Sequence, residues 1–288
     1  MRHVPVLLSE VIEHLAISPV GTYADCTVGS AGYAEAILER LTTGHLIAID
    51  RDEEAIARSR ERLKDWGDKV TFVNDSFGRI KAIANERAPL AGIVADLGVS
   101  REQLDDTDRG FSFRFAAPLD MRMRRPQALT AEHILNFYGE QDLAGLLFKY
   151  GEEPRAKRIA KAIVRVRPIR DTLQLAGIVE RAVPRAYKQR IHPATRTFQA
   201  IRIAVNDELG ELQSLLTDGP QLLGPGGRMV VVSYHSLEDR LVKIAFREGV
   251  REGRFRAVTR RVVRPTPQEL AANHSCRAAK LRAIERVH

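Results

Sequence analysis

The chain has 288 residues and a net charge of +8, with 44% hydrophobic and 28% charged residues; this is room for one large domain or two modest ones around a sizeable core. No apolar run reaches membrane-spanning length, and the start Met1-Arg2-His3-Val4-Pro5 lacks the apolar stretch of a secretory signal. Cys26 and Cys276 lie too far apart to suggest a disulfide framework, so the expected setting is a reducing cytoplasm, without a membrane partner.

In chain order, Thr22-Tyr23-Ala24-Asp25-Cys26-Thr27 reads as a strand and Gly32 to about Leu41 as a helix with Ala34, Ile37, Leu38 and Leu41 on one face. A second strand covers His45–Asp50, a charged helix Asp52–Leu63, a third strand Val70–Val73, a helix around Ile80, Ile83 and Ala84, and a fourth strand Ala91–Asp96. Near-continuous apolar strands alternating with helices predict a parallel sheet covered on both faces. The pattern breaks over 105–206, where helical stretches appear at 130–137, 140–150, 153–166, 172–183 and 194–206. Strand character returns at Arg228–Ser233 after the turn Gly224-Pro225-Gly226-Gly227, followed by a helix from Ser236 to about Arg247 and two late runs, 255–263 and 278–287, suited to closing the sheet. The expected fold class is α/β: a doubly wound, mostly parallel sheet from 1–104 and 207–288, with a helical insertion over 105–206.

Ligands of open α/β sheets bind at the carboxyl ends of the strands. Strand one leads into Asp25-Cys26-Thr27-Val28-Gly29-Ser30-Ala31-Gly32-Tyr33, where glycines allow close backbone approach and a helix start offers free N–H groups to an anion. Strand two ends in Asp50, a carboxylate able to accept from two ribose hydroxyls; strand three leads to Asp75-Ser76-Phe77, an acid and an aromatic suited to adenine; strand four ends in Asp96. Together these fit an adenosine-containing cofactor, and two classes stay open: a nicotinamide-dependent oxidoreductase and an S-adenosylmethionine-dependent methyltransferase. The missing pyrophosphate glycine favours the second.

The charge is segregated. Residues 1–104 hold 12 Lys/Arg against 16 Asp/Glu, 105–206 hold 19 against 11, 207–246 hold 3 against 6, and 247–288 hold 11 against 4. Basic excess confined to two segments points to a polyanion such as nucleic acid.

Several strings are long and chemically unusual: His3-Val4-Pro5-Val6-Leu7-Leu8, Ala48-Ile49-Asp50-Arg51-Asp52, Asp96-Leu97-Gly98-Val99-Ser100, Arg109-Gly110-Phe111-Ser112-Phe113, Pro118-Leu119-Asp120-Met121-Arg122-Met123, Tyr150-Gly151-Glu152-Glu153, His192-Pro193-Ala194-Thr195-Arg196-Thr197-Phe198-Gln199-Ala200 and Ser233-Tyr234-His235-Ser236-Leu237-Glu238-Asp239-Arg240. Through them the chain resembles the RsmH (MraW) family over nearly its full length. The resemblance implies a Rossmann-like class I methyltransferase core with an inserted helical substrate domain. It implies S-adenosylmethionine as cofactor, S-adenosylhomocysteine as product, and N4 of a cytidine in the decoding region of 16S rRNA, on the small ribosomal subunit, as target. It also implies cofactor contacts at Ala31, Gly32, Tyr33, Asp50, Phe77, Asp96 and Gln103, to which the glycine reading of the same loop adds Gly29. In the first loop Cys26, Val28 and Ala31 stand where the family usually has glycine, phenylalanine and glycine, and Asn273–Arg277 departs from the family's run near the C-terminus.

Methylation of an exocyclic amine needs an acceptor for its protons, not a covalent nucleophile. Asp96 is the first candidate and His235 the second, although Ser236 and Asp239 beside His235 resemble a helix capping pair. RNA contacts are expected at Arg109, Lys157, Arg158, His192 and Arg196, with Lys188, Arg190 and Arg202 nearby; Phe113, and Phe111 with it, are candidates for stacking on a base. The eight histidines show no zinc-like spacing, so no metal is expected. A non-catalytic RNA-binding assembly factor on the same fold is the third reading, and a homodimer stays open.

Overall fold

Successive side chains of a strand point to opposite faces of its sheet, so a run such as Leu46-Ile47-Ala48-Ile49 needs cover on both sides. The computed structural model, which describes residues 5–183 and 191–288, supplies that cover. His3 and Val4 of the opening string, and Lys188 and Arg190, lie outside the described residues. The chain divides into two compact units, Met1–Gly98 with Leu209–His288, and Val99–Glu208.

The first unit begins with α1 (Leu8–Leu15), β1 (Thr22–Asp25), α2 (Gly32–Leu38), β2 (His45–Asp50), α3 (Glu53–Arg62), β3 (Val70–Asn74), α4 (Ile80–Ala84) and β4 (Leu90–Asp96). The second unit holds α5 (Arg101–Asp105), α6 (Ala131–Phe137), α7 (Glu140–Gly151), α8 (Ala156–Arg165), α9 (Thr172–Ala182) and α10 (Thr195–Asn206). The chain continues through α11 (Glu208–Leu222) into β5 (Leu223–Ser233), α12 (Ser236–Arg251), β6 (Phe255–Ala257), α13 (Pro267–Ala272) and β7 (Lys280–Arg286). The seven strands lie in the order β3-β2-β1-β4-β5-β7-β6. The first five are parallel; β7 and β6 are antiparallel additions.

The alternation along the strands builds two cores. Tyr23, Leu46, Ala48, Val94, Val230, Val232 and Leu281 face one side with Leu15, Ala34, Ile37 and Ile56. Ala24, Ile47, Ile49, Ile93, Ala95, Met229 and Val231 face the other with Ile80, Leu212, Leu215, Val242 and Phe246. Helices α1–α3 therefore cover one face, and α4, α11 and α12 the other. Both cysteines are packing residues, Cys26 in the second core and Cys276 in the first.

Several boundaries differ from the sequence reading. Helix α2 stops at Leu38, and α12 runs on to Arg251. The turn Gly224–Gly227 falls within β5: Leu90 pairs with Leu223 and Gly92 with Arg228, so residues 224–227 bulge out of the ladder, with Gly226 at φ +77°.

The second unit is helical, with its own core of Leu143, Leu147, Ile159, Ile163, Leu175, Val179, Phe198 and Ile201. Thr130 and Asp171 cap α6 and α9 through their side chains. Helix α8 is sharply two-sided: Ala156, Ile159, Ala160 and Ile163 are buried, while Lys157, Arg158, Lys161 and Arg165 are exposed. Among the described residues no helix is long and apolar enough to cross a membrane.

Candidate active site

In a parallel sheet all strands deliver their carboxyl ends to one edge, and the strand order reverses here between β1 and β4. Asp25 ends β1, Asp50 ends β2 and Asp96 ends β4. Asp25 is fully buried. Its Oδ1 accepts from the Thr27 amide at 3.1 Å, whereas Oδ2 has no hydrogen-bond partner among the described residues. Burial pushes its pKa up to about 7, and the charges of Asp50 and Asp96 add to the rise. Asp50 and Asp96 lie deep but keep some access to solvent. Burial raises Asp50 to about 6 against two backbone amides, those of Gly29 and Asp52, which donate to it at 2.9 Å each. Burial also raises Asp96 to about 7, opposed by the Tyr234 hydroxyl, while the charge of Glu238 adds to the rise.

The loop after β1 is clamped from several directions. Val28 donates to the Ile49 carbonyl at 2.9 Å, and Arg62 donates to the Ser30 carbonyl at 2.6 Å. Ala31 sits in the left-handed region at φ +65°. That conformation costs a residue with a Cβ about 1–2 kcal/mol, the physical reason for a glycine at this place in the family pattern. Gly32 opens α2 under Pro5, and a Cβ there would meet Pro5 Cγ at 2.2 Å. The first turn of α2 brings Tyr33 over the strand ends: its hydroxyl contacts the Val6 carbonyl and lies 3.4 Å from Asp96 Oδ2. Tyr234, just past β5, donates to Asp96 Oδ1 at 2.9 Å, and the Thr27 hydroxyl contacts the Asp96 amide at 2.7 Å. Phe77 is half-buried beside the strand-three end, and Asp75 is paired with Arg79 at 2.6 Å.

The first unit thus brings together Gly29, Ala31, Gly32, Tyr33, Asp50, Phe77 and Asp96. Sequence reasoning passed over Asp25 and Tyr234. Asp25 ends its strand as Asp50 and Asp96 do, which was the available signal. His235 departs from expectation. It is itself the N-cap of α12, with Glu238 as its capping-box partner, in place of Ser236 and Asp239. Its Nδ1 receives the Glu238 amide at 3.4 Å, and its Nε2 lies 3.1 Å from Glu238 Oε1 without hydrogen-bond alignment. Both ring nitrogens turn to Glu238, so His235 serves the helix start. Asp239 pairs instead with Arg282 and Lys280.

In the second unit, Gln103 Oε1 accepts from the Ser100 amide at 3.0 Å in the capping box of α5. The expected RNA contact at Arg109 is corrected: the side chain is 2% exposed and donates to the carbonyls of Arg122 and Met123, so it braces a loop and cannot reach a phosphate. Phe111 is core. Phe113 is half-buried, stacked on His192 with ring centroids at 4.5 Å and edge-on to Phe198. His192 also pairs with Glu180 at 2.9 Å. Lys157 and Arg158 are exposed, as is Arg196, whose Nη1 donates to the Glu152 carbonyl at 3.2 Å.

A doubly wound sheet with a Gly-containing first loop and acids at successive strand ends defines a nucleoside-cofactor α/β protein of the methyltransferase kind. The chain belongs to the MraW methylase family, whose pattern matches residues 1–287. A relative from Solibacter usitatus is 48% identical over 285 residues, covering 98% of this chain and 99% of that protein. One from Dehalococcoides mccartyi is 47% identical over 303 residues, covering 99% and 86%. Both are named ribosomal RNA small subunit methyltransferase H. The crystal structure of a candidate rRNA methylase from Clostridium thermocellum matches the whole chain and 99% of its own, at TM-score 0.50 and 13% identity, a likeness of fold.

A carboxyl whose folded pKa lies above its unfolded value holds its proton more tightly in the folded state. The folded chain therefore loses stability as pH rises from about 4, the unfolded value, toward about 7, where Asp25 ionises. Asp25→Asn removes that cost. In thermal melts at pH 8 it should be more stable than the parent, by on the order of 1–3 kcal/mol, and the difference should vanish near pH 4. A variant less stable than the parent at pH 8 would show that the Asp25 charge is satisfied inside the protein.

Proposed function

We propose that this chain transfers the methyl group of S-adenosylmethionine to N4 of a cytidine in the 16S rRNA of the small ribosomal subunit. The observation that carries the reading is the set of three strand-end carboxylates, Asp25 fully buried with an unpartnered oxygen and Asp50 and Asp96 half-buried beside it, all three with pKa values raised by burial. Such a site favours a cationic ligand, and S-adenosylmethionine brings an ammonium and a sulfonium. A nicotinamide dinucleotide would bring a pyrophosphate against three acids, which argues against the oxidoreductase reading. The names of the relatives support rRNA as substrate, and the exposed basic face of α8 supports RNA binding.

When bound, S-adenosylmethionine supplies an electrophilic methyl group on a positively charged sulfur. The residues have distinct tasks around it. The backbone amides at the start of α2, reached through Gly29, Ala31 and Gly32, receive the cofactor's carboxylate. Asp50 has lone pairs left after its two backbone bonds and accepts from the ribose hydroxyls. Phe77 covers the adenine. Gln103, whose Oε1 is engaged in its own helix cap, is proposed as a cofactor contact on family resemblance alone. The lone pair of a cytosine amine is delocalised into its ring, so the amine must be drawn toward a pyramidal nitrogen; Asp96 does this by accepting from it. Cys26 and Cys276, both buried in cores, have no covalent part.

Nucleoside mass spectrometry of 16S rRNA from small subunits incubated with the protein and cofactor should find N4-methylcytidine. A methyl on carbon 5, or no product, would overturn the reading. Asp50→Ala should weaken cofactor binding by about 30- to 150-fold, the equivalent of about 2–3 kcal/mol, with the fold intact by circular dichroism; unchanged affinity in calorimetry would remove Asp50 from the cofactor site.

For RNA, Lys157→Ala should lower the slope of log affinity against log salt by about one and weaken binding across sequences. Arg109→Ala should leave that slope unchanged and lower the melting temperature instead. Equal slopes for the parent and Lys157→Ala would take α8 out of the RNA-binding surface.

A further inference from the structure

Asp96 has a hydroxyl at each oxygen, and the two hydroxyls are not equivalent. Tyr234 donates to Oδ1 at 2.9 Å. Tyr33 lies 3.4 Å from Oδ2, but its hydroxyl also makes a closer contact with the Val6 carbonyl. A phenol has one proton, and a carbonyl oxygen has none to give. The proton of Tyr33 therefore belongs to Val6, and Tyr33 turns a lone pair toward Asp96 Oδ2. Burial pushes both phenols well above their ordinary pKa, and the Asp96 charge adds to it, so both remain protonated and keep these roles.

From this arrangement we infer that Tyr234 and Tyr33 divide the oxygens of Asp96 between its two charge states, making Oδ2 the atom that receives the proton released by the methylated amine. The inference rests on the methyl-transfer reading above. In the ionised state Oδ1 is held by Tyr234, and Oδ2 is open to accept from the amine of the incoming base. Once nitrogen has bonded to the methyl carbon and the carbon–sulfur pair has left with sulfur, N4 carries one surplus proton. That proton passes to Oδ2, the carboxylate becomes a neutral acid, and its new O–H donates to Tyr33 Oη. Solvent base takes it back before the next turnover. Among the described residues, the other charged and titratable groups around Asp96 are Asp25 at the end of β1 and Glu238 on α12. Both are acids whose charges favour a protonated Asp96, so they support proton uptake without choosing an oxygen. The choice belongs to the two tyrosines, which act as positioning residues.

The two tyrosines then move the Asp96 titration in opposite directions, an outcome that simple packing roles do not produce. The measurement is a carbon-13 NMR titration of the Asp96 carboxyl in the cofactor-free chain, with the resonance assigned through Asp96→Asn. Tyr234→Phe removes a donor to the charged form and should raise the midpoint by about one to two units. Tyr33→Phe removes an acceptor for the neutral form and should lower it. Shifts of the same sign, or no shift with Tyr33→Phe, overturn the inference. Asp96→Asn gives a second reading without titration. Its amide NH2 imitates the protonated Oδ2 and can donate to Tyr33 while its oxygen accepts from Tyr234, so at pH 8 the variant should melt at or above the parent. A loss of stability would mean that Tyr33 is a donor, which also overturns the inference. If the parent makes no N4-methylcytidine while the opposite shifts are seen, the methyl-transfer reading fails and the tyrosine arrangement stands; if it makes the product without those shifts, only the tyrosine assignment fails.

Discussion

Like charges at the ends of adjacent parallel strands are the constraint around which the first unit is built. A parallel sheet sends the residues after its strands to one edge, and here three of them are aspartates sunk among protein atoms. Such groups resist ionisation, and at neutral pH they leave the protein with a local deficit of positive charge. Asp50 is partly neutralised by the amides of Gly29 and Asp52. Asp25 keeps one oxygen unmatched. In the function proposed, a cation entering the site offsets the stability lost by holding these acids together.

The loop between β1 and α2 shows the same trade on the backbone. Ala31 holds a left-handed conformation that glycine adopts freely, and Gly32 fits under Pro5 only because it lacks a Cβ. The loop is kept in place from outside by Arg62 and from below by the Asp50–Gly29 bond. Asp50 therefore shapes the loop and, in the function proposed, also faces the cofactor, so its replacement affects both.

Much of this was legible in the sequence because buried parallel strands write themselves as apolar runs and their ends as sudden acids. Asp50 and Asp96 were read that way. Asp25 is harder to read as a strand end, since Cys26 and Thr27 extend the apparent strand past it, whereas β1 stops at Asp25. His235 was misread for a chemical reason: serine is a preferred helix cap and histidine is not, so the cap was assigned one residue too late. Arg109 and Phe113 illustrate what no local pattern contains. An arginine in a polar stretch reads as exposed, and only the carbonyls of Arg122 and Met123 arriving from further along the chain reveal that it is enclosed. Phe113 packs one face on His192, which lies far along the chain and which no local pattern would pair with it.

The central claim is that the three strand-end carboxylates form a site for a cation-bearing nucleoside. Calorimetric titration of the purified protein with S-adenosylmethionine from pH 5.5 to 8.5, in two buffers of different ionisation enthalpy, addresses it directly. The account predicts that affinity rises with pH across the interval in which Asp50, Asp25 and Asp96 ionise, about 6 to about 7, and that binding near the middle of that interval releases protons to the buffer. Affinity independent of pH, or net proton uptake on binding, would contradict it.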